Sequence, residues 1–390
     1  MGVQTGAYNV VMIGEKRLGK TSILASMMNS FNKVGTAFIV NPADGVTKDA
    51  MKNKIISLQK AFVEAASGNG LYYDNDNDAT SGLRKYTFDI SYKNSNSEKI
   101  PITKIIFYDI PGEFFSNDKN QSDDFEDKYD NQLKGLIGDA DILVFAIDSV
   151  GLMERTKEQY GFYSKPEELE TRISGCLNVH KNRTILLVPL KCEKYYHSGK
   201  MGELKDKVLD LYNPIIHRFS NGEFKSSTTI CVTPILTMGN MVFDDFMRDE
   251  KGLVVRNRET RRPERAYYKV LEGKNFAPKY CEQPLLHVFF MLTKEKQTAN
   301  KQYVEDAYTP TTNEDSIAAF VAGKTGGVSP EKIVIGLLAG AATKIYFWGK
   351  HEIKHAYRQH QYNNDSFNSL TIRPKKSGDG YFVIQNPFGM

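Results

Sequence analysis

Lys20 and Thr21 are the residues of this sequence best placed for phosphate chemistry. Residues 14–21 read Gly-Glu-Lys-Arg-Leu-Gly-Lys-Thr, a complete match to the phosphate-binding pattern GxxxxGK(S/T). In that pattern backbone N–H groups surround the phosphates, the lysine reaches the β- and γ-phosphates, and the hydroxyl coordinates Mg²⁺. Nucleotide contacts are therefore predicted from Gly14, Glu15, Lys16, Arg17, Leu18, Gly19, Lys20, Thr21 and Ser22.

The segments on either side of this loop are those that a working phosphate site requires. An apolar run, Tyr8–Ile13, predicts a buried strand before the loop, and a helical pattern, Thr21–Met28, predicts a helix after it. A helix that begins at the loop presents unpaired backbone N–H groups and the positive end of its dipole to an anion. The context therefore favours a nucleoside triphosphate site over a chance match.

An acidic motif follows a second apolar strand, in which residues 105–108 lead into Asp109-Ile-Pro-Gly112. Phosphoryl-transfer sites need a carboxylate at the end of a strand beside the phosphate loop, where it holds the Mg²⁺ shell through water. They also need a backbone N–H close to the γ-phosphate, for which glycine is suited because it lacks a Cβ. Asp109 and Gly112 fit these two roles. The adjacent Glu113 is a candidate for orienting the attacking water, although its carboxylate could instead repel the γ-phosphate.

A further hydroxyl from a loop is expected to complete the magnesium site. Thr80 is favoured because it immediately precedes the predicted strand Tyr86–Tyr92, which pairs with the strand that ends at the acidic motif. Thr47 and Ser81 are the competing candidates.

Two later segments complete a set of motifs. The strand 184–188 leads into Leu190-Lys-Cys-Glu193, and the strand 228–233 is followed by Thr237-Met-Gly239. With the phosphate loop and the acidic motif, in this order and spacing, they resemble the translation-factor-class (Ras-like) GTPases. In that class an NKxD tetrad follows the fifth strand, and its acidic residue accepts hydrogen bonds from guanine N1 and N2. The resemblance implies GTP and Mg²⁺ as ligands, with base contacts from Lys191, Glu193, Thr237 and Met238.

The base motif departs from the family pattern at two positions. Leu190 stands in place of the asparagine and Glu193 in place of the aspartate, so an ATPase remains an alternative. A module that binds nucleotide without hydrolysing it is a second alternative. No residue is a convincing arginine finger, although Lys16 and Arg17 lie within the loop. We therefore expect catalysis by Lys20, Gly112 and Glu113 to be slow until a partner supplies a cation.

A narrower resemblance covers roughly residues 7–293. The DxPGE box, the VPLKCEK segment and TPILTMG are similar to the bacterial double-GTPases associated with biological-conflict (defence) gene clusters. The resemblance implies a molecular switch whose nucleotide state controls partner proteins, through the switch loops and a C-terminal extension. A homo-oligomer and a hetero-oligomer are both compatible with such a switch.

The order of predicted elements indicates an α/β fold, with a mostly parallel sheet covered by helices on both faces. A P-loop GTPase domain is predicted over residues 1–297, followed by a mainly helical extension, 298–390, as a partner-binding region. After the first helix, strands are predicted at 86–92, 104–108, 142–147, 184–188 and 228–233. Helices are predicted at 48–66, 167–178 and 204–219.

Composition excludes several other classes. The net charge of +4 is mild, so a nucleic-acid partner is not expected. The four cysteines show no CxxC spacing, which indicates reduced thiols, and the N-terminus lacks a secretory pattern. The longest apolar run, 333–343, falls short of the ~18 residues that a membrane span needs. A cytoplasmic protein without membrane contact is expected.

Three other patterns in the sequence resemble known functional motifs. His351-Glu-Ile-Lys-His355 matches HExxH, so a zinc metallopeptidase with Glu352 as base is a remote alternative, weakened by the cationic Lys354 within the motif. Residues 318–325 lack the first glycine of a second phosphate loop. The arginine-rich stretch 256–265 also carries acidic residues, so a solvated hairpin or a protein contact is favoured there.

Overall fold

The computed structural model describes the residues that position the phosphate loop and both base motifs. They are residues 7–14, 18–31, 38–67, 72–73, 82–93, 99–112, 123–154, 166–178, 181–256, 263–285, 288 and 382–385. The predicted domain boundary at 298 and the apolar run 333–343 lie outside these ranges.

An eight-stranded sheet forms the centre of the fold. Its strands are β1 (Tyr8–Ile13), β2 (Phe38–Pro42), β4 (Arg84–Lys93), β5 (Lys99–Asp109), β6 (Ile142–Asp148), β7 (Arg183–Leu190), β8 (Thr228–Val232) and β11 (Phe382–Gln385). The spatial order is β11-β8-β7-β6-β1-β5-β4-β2. The five strands from β8 to β5 run parallel, whereas β4, β2 and β11 are antiparallel to their neighbours. The predicted mostly parallel sheet is confirmed.

Helices cover both faces of this sheet, as predicted. They are α1 (Lys20–Phe31), α2 (Gly45–Ser67), α3 (Asp123–Gly138), α4 (Ser149–Met153), α5 (Pro166–Ser174), α6 (Glu193–His197), α7 (Met201–Leu211) and α8 (Asn213–Ser220). Side chains alternate along β1 because successive residues of a strand point to opposite faces. Val10 and Met12 therefore join the core beneath α1 and α2, and Val11 and Ile13 join the core beneath α3, α5, α7 and α8.

A small second sheet was not predicted. It consists of β3 (Tyr72–Tyr73), β9 (Met241–Phe246) and β10 (Ala266–Val270), in the antiparallel order β3-β10-β9. The second half of α2 packs against it through Leu58, Phe62 and Ala65, which form a third core with Phe243 and Tyr268. We call this group of buried residues the α2 core. It joins α2 to the segment that follows β8.

Two predicted helix ranges are refined. The helix predicted at 48–66 extends over Gly45–Ser67. The helix predicted at 204–219 is two helices, α7 and α8, which meet at Tyr212. Pro214 lies in the first turn of α8, and because proline has no N–H it cannot continue the hydrogen-bond ladder of α7. In the predicted extension, β11 pairs with β8 and forms an edge of the main sheet.

The neighbouring residues Phe62 and Val63 test the packing of α2. Phe62 is 4% exposed, and its ring centroid lies 5.8 Å from that of Phe276. We expect Phe62→Ala to lower the free energy of unfolding by about 3–5 kcal/mol, because it opens a cavity in the α2 core. Val63 is 60% exposed, so Val63→Ala should change it by less than about 0.5 kcal/mol. Urea denaturation measures both variants, and equal losses would contradict this packing.

Candidate nucleotide-binding site

The phosphate loop begins at Gly14, directly after β1, and its backbone requires glycine. Gly14 has φ 153°, and Gly19, at the end of the loop, has φ 96°. A Cβ on Gly14 would lie 3.0 Å from the Cβ of Ala146 and 3.1 Å from its carbonyl oxygen, closer than ordinary contacts. The turn therefore packs against the end of β6 without room for a side chain. The predicted contacts Glu15, Lys16 and Arg17 lie outside the described residues.

Lys20 opens α1 and is held inside the loop. Its side chain is only 6% exposed. The ammonium donates a hydrogen bond to the carbonyl of Gly14 at 2.9 Å and lies 3.9 Å from Asp109 Oδ1. A buried ammonium at the start of a helix is well placed to bind an anion, because the first N–H groups of the helix point the same way.

Thr21 and Asp109 meet beside this lysine. Parallel pairing of β1 with β5 sets Met12 opposite Asp109, which brings the carboxylate to the base of the loop. Thr21 Oγ1 donates to Asp109 Oδ2 at 2.7 Å, and Asp109 is fully buried. Hydroxyl and carboxylate oxygens are the hard ligands that Mg²⁺ prefers. The residues present therefore fit a magnesium ion.

The structure describes only some of the other predicted magnesium ligands and catalytic residues. Thr80 and Glu113 lie outside the described residues. The competing candidate Thr47 is buried in α2, where its hydroxyl accepts a hydrogen bond from the N–H of Thr87 at 3.2 Å. Thr47 thus ties α2 to β4. Gly112 is buried three residues after Asp109. The roles of these residues stay predictions.

A buried carboxylate joins the two segments predicted to contact the base, 190–193 and 237–239, which we call the base loops. Glu193 is 3% exposed at the start of α6, and its Oε1 accepts a hydrogen bond from the N–H of Met238 at 3.0 Å. Burial raises the pKa of Glu193, and backbone hydrogen bonds from Met238 and Gly239 partly oppose that rise. Lys191, two residues earlier, adopts a left-handed backbone with φ 56°. The structure therefore brings together the segments that carry all four predicted base contacts.

Residues 275–279 pack against the second base loop, a contact that was not predicted from the sequence. Gly239 has φ 71°, and a Cβ there would lie 1.8 Å from the carbonyl oxygen of Ala277. The backbones of Leu236 and Lys279 exchange two hydrogen bonds of 3.0 Å. His197 Nε2 lies 2.8 Å from the Gly239 carbonyl oxygen. These contacts bridge distant parts of the chain, and no local pattern in residues 275–279 indicates them.

A cleft of about 670 Å³, its open mouth included, connects the phosphate loop with both base loops. Seven of its lining residues are predicted contacts: Leu18, Gly19, Ser22, Lys191, Glu193, Thr237 and Met238. The others are Ser57, Leu58, Ala61, Leu190, Met241 and Tyr268, mostly from α2 and the second sheet.

The remaining predictions concern metal, thiols and membranes. The HExxH segment 351–355 lies outside the described residues, and within the described ranges no three His, Cys, Asp or Glu side chains are grouped to bind a metal. All four cysteines are free thiols. In the part of the chain that the structure describes, no helix has the length and apolar content to cross a bilayer.

Fold and site together define a class of protein. A mostly parallel sheet carries a lysine-bearing phosphate loop on a central strand, a buried aspartate on the next strand and two base loops further along, which is the arrangement of a P-loop GTPase fold. The particular family follows from its sequence model. The Double-GTPase 2 model matches residues 9–231, and this chain belongs to that family.

Three solved structures with similarity to this chain are distant from it in sequence. Two are of the S. cerevisiae Ski7 GTPase-like domain. The one bound to GTP has 12% identity and a TM-score of 0.32, covering 59% of this chain and 43% of that chain. The one bound to GDP and inorganic phosphate has 13% identity and a TM-score of 0.28, with the same coverage.

A third similar structure is Sup35 complexed with GDP, at 12% identity and a TM-score of 0.26, covering 60% of this chain and 38% of that chain. The present chain thus spans less than half of the length of each of the three structures. A comparison with proteins of curated function finds no match. The class assignment therefore depends on the family match and on the fold itself.

The tight packing of Gly239 against the Ala277 carbonyl can be tested by comparison with Gly252, a glycine with a similar φ. Gly252 has φ 77° and nothing within 4 Å of its would-be Cβ. Gly252→Ala should cost about 1–2 kcal/mol of unfolding free energy, from the left-handed backbone alone. Gly239→Ala must also displace the Ala277 carbonyl, so we expect a clearly larger loss. Thermal and urea unfolding measure both variants, and similar losses would show that the base loop is not confined as described.

The raised pKa of Glu193 predicts a pH dependence. The pKa of Glu193 in the folded protein lies above its ordinary value of 4.5, so the folded protein binds this proton more tightly than the unfolded chain does. The stability that this difference contributes is fully present below pH 4.5 and is lost as the pH rises through the pKa of the folded protein. Glu193→Gln keeps an acceptor for the Met238 amide but has no proton to release. The parent should therefore lose stability relative to Glu193→Gln as pH rises.

Urea denaturation between about pH 4 and 8 measures this difference. Glu250→Gln, at an exposed glutamate, is the matched control and should follow the parent at every pH. A constant difference between the parent and Glu193→Gln would contradict the effect of burial on this carboxyl group.

Proposed function

We propose that this protein binds GTP with Mg²⁺ and hydrolyses it as a nucleotide-dependent switch. The observation that carries the proposal has two parts. Lys20, Thr21 and Asp109 converge at the phosphate loop. The same loop, through Leu18, Gly19 and Ser22, lines one cleft together with both base loops. The phosphates and the purine base of one nucleotide would thus occupy different parts of one site.

The phosphates would bind where α1 begins. Lys20 would exchange the Gly14 carbonyl for phosphate oxygens, and the first N–H groups of α1 would donate to the same anion. Thr21 and Asp109 would hold the magnesium ion, Thr21 through its hydroxyl and Asp109 through water, and Thr80 would add a third oxygen. Bound there, Mg²⁺ would neutralise charge on the β- and γ-phosphate oxygens.

Hydrolysis requires little covalent chemistry from the protein. Water attacks the γ-phosphorus in line while the bond between the γ-phosphorus and the oxygen that bridges it to the β-phosphate breaks. The products are GDP and inorganic phosphate. Glu113 would position the water, and the Gly112 N–H and Lys20 would stabilise charge on the transferred group. Among the described residues that line the cleft there is no arginine, so turnover would be slow until a partner supplies a cation.

Glu193 is the proposed determinant of guanine over adenine. Guanine offers N–H donors at N1 and N2 to a carboxylate, and adenine lacks this pair of donors. Each carboxylate oxygen has two lone pairs, so Oε1 can accept from Met238 and from the base. The guanine donors would also favour the ionised form of Glu193 and so lower its pKa on binding.

The resemblance to conflict-system GTPases supports a cellular role for the switch. We propose that its nucleotide state controls a partner protein in bacterial antiviral defence, in the cytoplasm. The extension 298–390 and the loops near Thr80 and Glu113 are the proposed contact regions for that partner.

Lys20→Ala tests the phosphate site. Removing a charged donor from the triphosphate should weaken binding of GTP with Mg²⁺ by about 100-fold and abolish phosphate release, because a hydrogen bond to a charged group contributes about 1.5–3 kcal/mol. Isothermal titration calorimetry measures the affinity. Lys60→Ala is the control, since its side chain is 74% exposed on α2 and should leave affinity unchanged. Equal binding by the parent and Lys20→Ala would refute the assignment.

Competition separates the alternatives that the degenerate base motif leaves open. ATP should fail to displace labelled GTP from the parent, and displacement at equal concentration would indicate an ATPase or an unselective site. Binding without phosphate release would indicate a module that reads nucleotide state. A Glu113→Gln variant shows whether the carboxylate supports or hinders hydrolysis.

A further inference from the structure

The base end of the cleft has a wall that the proposed GTP site does not itself require. Ser57, Leu58 and Ala61 of α2 and Tyr268 of β10 line it together with the base loops. We propose that α2 and Tyr268 form a cap over the purine base, so that bound nucleotide leaves when α2 separates from the base loops. This inference depends on the proposed GTP site.

The cap residues form one continuous surface. Ala61 follows Leu58 by three residues and Ser57 by four, so it neighbours both of them on the surface of α2. Leu58 and Tyr268 are 7% exposed and Ala61 is 8% exposed, whereas Ser57 is exposed at the mouth of the cleft. Met241 extends this surface from β9. An apolar wall with one aromatic ring suits the flat face of a base and offers no charge to a phosphate.

The cap is packed directly onto a base loop. Met238 belongs both to the cleft lining and to the α2 core, where it joins Leu58, Phe62 and Tyr268. Moving α2 outward would therefore expose apolar surface of the base loop as well as of the helix. A bound base that fills the cleft would stabilise the closed arrangement, because it adds contacts to both walls.

The other end of α2 is tied to the strands that carry the magnesium site. The Thr47 hydroxyl accepts from Thr87 in β4, and β4 pairs with β5 so that Arg84 lies opposite Asp109. One helix thus connects the base end of the cleft with the strand pair that leads to Asp109. Displacement of the cap would be transmitted along α2 toward β4.

Ser57→Trp tests the cap with little risk to folding, because Ser57 is exposed. The indole would enter the base position, so we expect affinity for GTP with Mg²⁺ to fall about tenfold or more. Affinity for tripolyphosphate with Mg²⁺, a probe that has phosphates but no base, should stay unchanged. Ile56→Trp is the matched control, since Ile56 is 50% exposed on the same helix and does not line the cleft. Both affinities are measured by calorimetry.

Leu58→Ala tests whether a looser cap releases the nucleotide faster. Loss of the side chain loosens the contact between α2 and the base loop, so labelled GTP should dissociate several-fold faster in a chase with excess unlabelled GTP. Val63→Ala is the control for this variant. Thermal unfolding of both variants verifies that the protein is folded at the temperature of the chase.

The outcomes distinguish the cap from the GTP site. If the parent binds GTP and Ser57→Trp binds it equally well, the cap is refuted and the GTP site stands. If Ser57→Trp weakens GTP and tripolyphosphate alike, the wall does not contact the base and the cap is also refuted. If the parent binds neither probe, the proposed function fails and the cap fails with it.

Discussion

Parallel pairing on both sides of β1 is the constraint on which the site depends. β5 on one side and β6 on the other run in the same direction as β1, so all three end at the same edge of the sheet. The register sets Met12 opposite Asp109, and the first turn of the loop then packs against Ala146. A shift by one residue would turn Asp109 to the other face and separate it from Thr21.

Burial of charge at this edge is explained by function better than by stability. Lys20 and Asp109 are both almost fully buried, and removing two such charges from water costs more than their mutual attraction usually returns. Glu193 is buried too, and its pKa is raised because the protein around it disfavours the ionised form. A triphosphate with Mg²⁺ and a guanine base would add oppositely charged and hydrogen-bonding partners to these groups.

The sequence predicts those parts of the protein whose information is local. The phosphate loop requires glycines and Lys20 within eight positions, and β6 is an unbroken apolar run, so both are recognised without the rest of the chain. The second sheet escapes prediction because β3 has two residues and β9 mixes buried with half-buried positions. The contact of Tyr268 with the cleft escapes it as well, since it depends on α2 and β10 meeting across most of the domain. Thr80 and Glu113 stay predictions.

The path of the chain between α2 and β4 connects the cap with the segment that contains Thr80. After α2 the chain forms β3, in which Tyr72 pairs with Tyr268 of the cap, and it then returns to β4 through the segment that contains Thr80. The residue proposed to sense the γ-phosphate through magnesium is therefore flanked by one strand that pairs with the base cap and one that pairs with the Asp109 strand. Because both flanking strands are fixed by backbone hydrogen bonds, a change at the γ-phosphate that Thr80 sensed would be passed to the strand that pairs with the cap. A partner that binds the outer face of α2 could read the occupancy of both ends of the nucleotide at once.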